Sequence, residues 1–374
     1  MKKILIVGFE KENQINYPHL RQTISYLEQK MNCEYSYFFE RGYFLNCKFS
    51  LSIKTNVMKT ISFFKFFIGF IGVFFTRVFC KYDTVVVIDN FTYVVYSLFF
   101  KNTILWSHDF VTNDQEQSNC IVQKIIKQQV YKYIRRNKKI IIQDTERLSL
   151  LLEDYIEEDI KYLDIFYFPV SLLSIEENNK NIDNMLPILM QIGGINKFRS
   201  GSDVLLKYYQ IMHNKFNLIF HGYFMSDMID QINRSRYIPI SSTLEMLPDE
   251  VYKIVEKCDI GFICYNTNNK NFYHTKHASG QLVEFIRCAK PVIIIGNTDL
   301  KLFVNKEKIG VSIEIIEELE SAISKISNNY QFYKENARKC FESTYDIKLY
   351  LSDLGKWIIY DTQDLKKKNA KKNY

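Results

Sequence analysis

The stretch SGQLVEFIRCAKPVIII (Ser279–Ile295) is the one from which the rest of the chain is ordered. Leu282, Phe285, Ile286 and Ala289 recur at helical spacing, and Pro291 closes the helix before a short apolar strand from Val292 to Ile295. Ser279-Gly280 is the expected helix start, which places first-turn amides and the positive dipole end where they can hold an anion. Glu284 lies off the apolar stripe, about a turn in. A carboxylate there can accept two hydrogen bonds from a vicinal diol, and an ordinary exposed glutamate favoured by the dipole fits the same place. A phosphate at a helix start with a diol gripped beside it describes a nucleotide.

Upstream, LPILMQIGGINKFRSG (Leu186–Gly201) leaves a strand and enters a helix over Val204 to Met212. Its paired glycines let the backbone approach a ligand closely, and Lys197 and Arg199 offer cations to a diphosphate. A solvated loop with surface charges is the alternative. Strands are expected at NLIFHG (Asn217–Gly222) and DIGFIC (Asp259–Cys264), with a loop through Met246-Leu247-Pro248 between them. A polar, aromatic loop from Asn266 to His277 leads into the opening helix. Beyond Gly310–Ile313, amphipathic helices follow to Tyr360.

The first half repeats the alternation of strand and helix. KKILIVG (Lys2–Gly8) is a buried strand whose terminal glycine permits a backbone turn facing a crevice, and a helix carrying Leu20, Ile24 and Leu27 follows. No G-x-G-x-x-G fingerprint accompanies it, which argues against a conventional dinucleotide site. TVVVID (Thr84–Asp89), NTILWS (Asn102–Ser107) and KKIIIQ (Lys138–Gln143) are further strands, and His108 directly follows the second of these. The most apolar stretch is Val57–Cys80. Its uninterrupted core, Phe66–Phe75, is too short to span hydrocarbon. It reads either as a helix packed on the sheet or as a monotopic helix that dips Phe side chains into a membrane surface. The polar segment Leu172–Met185 reads as an interdomain linker.

The totals set outer limits. A chain of 374 residues accommodates two domains, and 47% hydrophobic with 24% charged residues describes a globular protein. Eight scattered cysteines form neither C-x-x-C nor a metal-ligand spacing. With no signal-peptide pattern at the start, the expected location is cytoplasmic. The charge of +7 is partly gathered in the tail Lys366–Lys372, which can add attraction to an anionic lipid surface. No nucleic-acid recognition motif is present, so nucleic acid is not an expected partner.

LVEFIRCAKPVII resembles the signature helix of the glycosyl transferases group 1 family, retaining nucleotide-sugar enzymes of the GT-B type. In that family a glutamate-bearing helix runs into a Gly/Ala-Lys-Pro-Val turn and strand. The Gly193–Gly201 turn is similar to the family's GGI-x-K-x-R-G turn, whose basic residue binds the leaving pyrophosphate. Ser200 stands inserted where members often carry Arg or Lys directly before the glycine, which leaves both Lys197 and Arg199 open for that role, with Arg199 favoured. His108 resembles the histidine that contacts the transferred sugar, and Leu247 lies where members hold the base through backbone contacts. The chain departs from the family at Lys276, eight residues before Glu284, where many members carry a first glutamate that touches the donor sugar. A lysine there can serve the diphosphate or a carboxylate-bearing sugar, or be a solvated loop residue.

The resemblance implies an α/β fold of GT-B architecture, two Rossmann-like domains facing a central cleft. The expected division is 1–171 on the acceptor side, a linker 172–185, a nucleotide-sugar domain 186–345, and 346–374 as a returning helix with a basic tail. It implies a hexosyltransferase that moves sugar, with retention, from a UDP- or GDP-linked donor to a glycan or polyprenyl-linked acceptor in surface polysaccharide biosynthesis. Arg199, Lys197 and the helix start at Ser279-Gly280 would stabilise the departing diphosphate, Glu284 the ribose diol, and His108 the sugar, with Gly8 and Gly194 giving close backbone approach. No DxD-type pair stands at a strand end, so no metal and no further cofactor is expected, and cations and amides would take the metal's place. Peripheral membrane contact would run through residues 57–80 and the tail. Two rivals stand beside this: a nucleotide-sugar epimerase or hydrolase on the same fold, and a non-catalytic partner module at a membrane surface.

Overall fold

The computed structural model describes residues 2–8, 17–37, 70–108, 121–153, 160–175, 186–243, 250–265, 273–296 and 298–360. The chain forms two compact units. One holds the N-terminal strand, Leu20–Phe168 and the chain from Tyr350 onward; the other holds Pro169–Leu349 together with the short piece Tyr17–His19.

The first unit is built on β1 (Ile4–Gly8), β2 (Cys33–Tyr37), β3 (Thr84–Val87), β4 (Thr103–Trp106), β5 (Lys139–Ile142) and β6 (Asp164–Tyr167). They form one parallel sheet in the order β2-β1-β3-β4-β5-β6. Continuous apolar runs suit strands covered on both faces, and every residue of β1, β3 and β4 is buried. Two of its helices are capped by the aspartate just beyond the preceding strand. Asp89 accepts from Thr92 N at 2.7 Å to start the helix Asn90–Phe99, and Asp144 accepts from Arg147 N at 2.8 Å to start Thr145–Leu151.

The second unit carries β7 (Ile188–Ile195), β8 (Asn217–Phe224), β9 (Ile240–Thr243), β10 (Ile260–Cys264), β11 (Val292–Ile295) and β12 (Gly310–Ile313). Its order is β12-β11-β10-β7-β8-β9, again all parallel. Numbered within the unit, this is the doubly wound arrangement in which strand order reverses beside the first strand, here between β7 and β10. Alternate residues sort into two cores. Met190, Ile192, Ile263 and Ile294 pack with Leu282, Phe285 and Ile286 of the helix Gly280–Arg287. Leu189, Phe220, Phe262 and Ile293 pack on the other face with Leu205, Leu206, Ile323 and Ile326.

The organising helix sits tightly on its sheet because β10 has no side chain where they meet. A Cβ on Gly261 would lie 2.4 Å from Cγ of Phe285. The helix closes at Cys288 with Ala289 in the left-handed region (φ 52°), Ala289 N bonding to Ile286 O and Lys290 N to Phe285 O. That pair of bonds is a Schellman turn, so the chain leaves the helix before Pro291 rather than at it.

Of the expected linker, residues 176–185 lie outside the described residues, while 172–175 belong to the second unit. Leu172 is buried there and bridges to Asp346, with Leu172 N on Tyr345 O at 3.0 Å and Ile347 N on Leu172 O at 3.0 Å. The helix Lys348–Ile359 carries the chain back into the first unit. There Trp357 Nε1 donates to Asp164 at 2.8 Å, and Lys139 Nζ reaches the carbonyls of Trp357 and Tyr360. The basic tail Lys366–Lys372 lies outside the described residues.

Gly261→Ala is expected to cost about 1–3 kcal/mol, since the added methyl drives Phe285 off the strand. The check is urea unfolding with an unchanged m-value. Combining it with Phe285→Leu should return part of the loss, because the two changes meet at one contact.

Candidate functional site

The carboxyl ends of β7 and β10 flank the point where the strand order of the second sheet reverses, and ligands of open α/β sheets bind at such points. The recorded pairing of these strands covers Ile260↔Leu189 and Gly261↔Met190, upstream of Gly193-Gly194. Gly193 takes φ 94°, a left-handed conformation, and a Cβ on it would lie 3.1 Å from Nε2 of Gln281. The strand thus runs on through the glycine pair to Ile195 instead of turning at it, and the pair rests directly against the start of the helix Gly280–Arg287. Among the described residues a Cβ on Gly280 would meet nothing within 4 Å, so the first turn is open on that side. No acidic residue lies in that turn. Exposed amides at a dipole's positive end with no competing carboxylate make a place for an anion.

Ser279 caps this helix. Its Oγ accepts from Leu282 N at 3.1 Å and shares a 2.8 Å bond with the Tyr265 hydroxyl. Burial pushes the Tyr265 phenol up to about 12, so it stays protonated at neutral pH and can supply the proton of that bond. Thus Ser279 acts through its capping oxygen, which fixes where the amides of Gly280 and Gln281 point.

The turn after β7 is held from inside. Ser200 is buried, and its Oγ accepts from Asn196 N (3.1 Å) while donating to Asn196 O (2.9 Å). A 2.8 Å contact ties it to Ser202 Oγ, and buried Gln191 donates to Ser200 O at 2.6 Å. The serine that interrupts the expected pattern is a structural bracket. Lys197 is exposed, and the backbone of Arg199 runs in the helical turn Lys197–Ser200, its side chain lying outside the described residues. Leu247 and residues 266–272 of the loop also lie outside them.

Glu284 is buried at 5% exposure, which removes the reading of an ordinary surface glutamate. Its Oε2 is 3.4 Å from Nη1 of Arg287, itself 9% exposed. Arg287 Nε donates to Leu173 O at 2.7 Å, and its guanidinium lies 5.2 Å from the centre of the Tyr252 ring. Lys276 stands in the turn before the helix, where the buried Tyr345 donates to its carbonyl at 2.7 Å. Val170 N on His277 O, at 2.8 Å, and Thr275 N on Asp299 Oδ1, at 3.2 Å, anchor the same turn.

In the first unit, Gly8, Asp89 and His108 stand at or just past the carboxyl ends of β1, β3 and β4. Burial raises the Asp89 carboxyl above its ordinary range, offset in part by the amide of Thr92. His108 is held by a buried pair. Gln143 Nε2 lies 3.3 Å from His108 Nδ1 and donates to Ser107 O at 3.0 Å. Arg147 fixes the Gln143 amide through a 3.0 Å bond from Nε to Oε1, and it also donates to the carbonyl of His108. An amide nitrogen donates, so Nδ1 accepts and the imidazole carries its proton on Nε2.

Gly194, Ser279, Gly280, Glu284, Lys197 and Lys276 thus lie in the second unit, and Gly8 and His108 in the first. Sequence reading passed over Gln191, Gln281, Tyr265, Arg287, Gln143 and Arg147. Gln191 and Gln143 had a signal: each is the polar residue that ends or interrupts an apolar strand. Gln281 and Arg287 had none, since a polar residue on a helix is unremarkable until the helix is seen to be covered.

No protein-family model matches the chain, and no curated protein matches it. Solved structures do. Sucrose-phosphate synthase from Thermosynechococcus elongatus superposes with a TM-score of 0.68 at 10% identity, covering 95% of this chain and 98% of that one. Anabaena HepE in complex with UDP-glucose gives 0.64 at 11% identity, covering 96% and 98%. WaaG, a glycosyltransferase involved in lipopolysaccharide biosynthesis, gives 0.61 at 11%, covering 95% and 99%. At such identities the likeness establishes the fold, which is GT-B.

Arg287→Met is expected to destabilise the protein by about 3–5 kcal/mol, because it strands a buried carboxylate. Denaturant titration measures it. Glu284→Gln in the same background should recover a substantial part, since the charge left without its guanidinium is then gone.

Proposed function

We propose that the protein is a glycosyltransferase of the glycosyl transferases group 1 type that transfers a sugar from a nucleotide-diphosphate donor. The observation that carries this is the meeting of the Gly193-Gly194 pair, at the carboxyl end of β7, with the acid-lacking start of the helix Gly280–Arg287, where the strand order of the second sheet reverses. A diphosphate would be held there by backbone amides with Arg199 and Lys197, and the developing charge on the leaving group stabilised by the same groups. Lys276, one turn before the helix, would add a further cation. Glu284, its carboxylate oriented by Arg287, would accept the ribose diol, and the backbone around Leu247 would receive the base. His108 would contact the transferred sugar. Gly8 would let the backbone near it come close.

The finer reading is transfer with retention, without metal, from a UDP- or GDP-linked hexose to a glycan or polyprenyl-linked acceptor, in surface polysaccharide assembly at the cytoplasmic side of a membrane. UDP is favoured because a structural neighbour is in complex with UDP-glucose, and polysaccharide assembly because another is involved in lipopolysaccharide biosynthesis. A lipid-linked acceptor would be met at a bilayer, and peripheral contact through residues 57–80 and the tail belongs to this reading. Lys276 in place of an acidic residue favours a second reading, a non-catalytic nucleotide-sugar module. Thermal shift and turnover over UDP-, GDP- and ADP-sugars, with and without lipid-linked acceptor, separate the two; turnover without acceptor would instead indicate an epimerase or hydrolase.

Arg199→Ala is expected to lower kcat/KM by about 2–4 kcal/mol of transition-state stabilisation, with donor binding less affected. Wild-type turnover in this variant would remove Arg199 from the mechanism. Glu284→Gln is expected to raise the donor KM roughly tenfold or more, the worth of a charged hydrogen bond. An unchanged KM would assign Glu284 to folding alone.

A further inference from the structure

Within 57–80 the described residues begin at helix 70–79, which buries Gly72, Val73 and Thr76 against the first unit. Phe70, Ile71, Phe74, Phe75, Val78 and Phe79 are exposed, Phe74 by 50% and Phe79 by 75%. At about 100° per residue these six cover half of the helix circumference, opposite the buried three. The face is continuous with its neighbour, since Phe99 packs edge-on against Phe70 (centroids 5.0 Å apart) and Phe74 (6.1 Å), and Leu98 beside it is half exposed. A run of large apolar side chains turned outward is not what a solvated helix presents.

Positive charge borders this face. Arg77 lies at its edge, with the guanidinium 5.6 Å from the centre of the Phe100 ring, and Lys81 and Lys101 are exposed nearby. In the sequence from Arg41 to Tyr82 there are seven lysines and arginines and no aspartate or glutamate. We propose that the outward face of helix 70–79 is a docking surface for an anionic lipid bilayer. Its phenylalanines enter the acyl boundary, and Arg77, Lys81 and Lys101 meet the headgroups.

Two features favour lipid over an acidic protein. The face offers hydrocarbon without hydrogen-bonding groups, and the cations sit at its rim rather than within it. Among the described residues no helix is long and apolar enough to cross a membrane, and the turns 70–79 carry their large apolar side chains along one face, as a helix lying in the interface plane does. This inference deepens the peripheral-contact part of the proposed function by naming the surface and the lipid class.

The test is co-flotation of the full-length protein with vesicles of phosphatidylcholine alone and of phosphatidylcholine mixed with phosphatidylglycerol. Binding is expected to the mixed vesicles, weaker on phosphatidylcholine alone and falling with salt. Phe74→Ser/Phe75→Ser/Phe79→Ser is expected to lower partitioning by about tenfold or more. Arg77→Gln/Lys81→Gln/Lys101→Gln should remove the preference for phosphatidylglycerol. Phe74→Trp, a milder change, should gain blue-shifted emission that brominated lipid quenches, and it decides the matter if the triple variant does not fold. UDP thermal shifts, measured on the same samples, are expected to be unaltered. Loss of vesicle binding with UDP binding intact therefore concerns this face, and absent UDP binding in the wild type concerns the donor reading.

The proposal is overturned by vesicle binding that ignores the Phe substitutions, by Phe74→Trp left unquenched on bound vesicles, or by no vesicle binding at all. It is equally overturned by a concentration-dependent dimer that the triple variant abolishes, or by capture on polyglutamate as strong as on the mixed vesicles.

Discussion

Everything proposed for the second unit depends on one packing constraint, the adjacency of β7 and β10 in a sheet whose crossovers leave them on opposite faces. The helix Ser202–Met212 follows β7 onto one core, and the helix Gly280–Arg287 follows β10 onto the other. Backbone groups at the two strand ends are then left without a covering helix of their own, and a ligand can use them. The close seating of Phe285 on Gly261 sets the height of the second helix on the sheet. That height in turn brings Gln281 against Gly193. A bulkier residue at either glycine would part the end of β7 from the helix start.

Buried polar groups keep this arrangement single-valued. Ser200, Asn196, Ser202 and Gln191 close one network; Ser279 and Tyr265 close another; Glu284 and Arg287 share a third with the carbonyl of Leu173. Such groups contribute modestly to net stability and strongly to geometry, because each has few alternatives once water is excluded. A site that must hold donors at set positions around a developing charge benefits from that rigidity.

The first unit follows the same logic with different parts. Arg147 reaches back to Gln143 and to the carbonyl of His108, so the imidazole's tautomer is decided two residues deep in the protein. Asp89, whose carboxyl burial raises above its ordinary range, marks the neighbouring strand end. In helix 70–79 the opposite choice has been made, with large apolar side chains left outside a core that Val73 and its neighbours already complete.

The apolar strands were legible from the chain alone, because buried parallel strands read as unbroken apolar runs, whereas the polar edge strand β9 was not. Ile4–Val7, Val85–Val87 and the apolar stretches of β7, β10 and β11 announce themselves without context. The glycine pair, the helix start at Ser279 and Glu284 were legible too, since each lies next to such a run. What the chain could not disclose was which groups face one another. That Ser200 braces a turn, that Glu284 is buried beside Arg287, and that Gln143 orients His108 are outcomes of strand order and helix seating. They arise from contacts between residues far apart in sequence, and only the folded backbone brings their side chains within hydrogen-bonding reach.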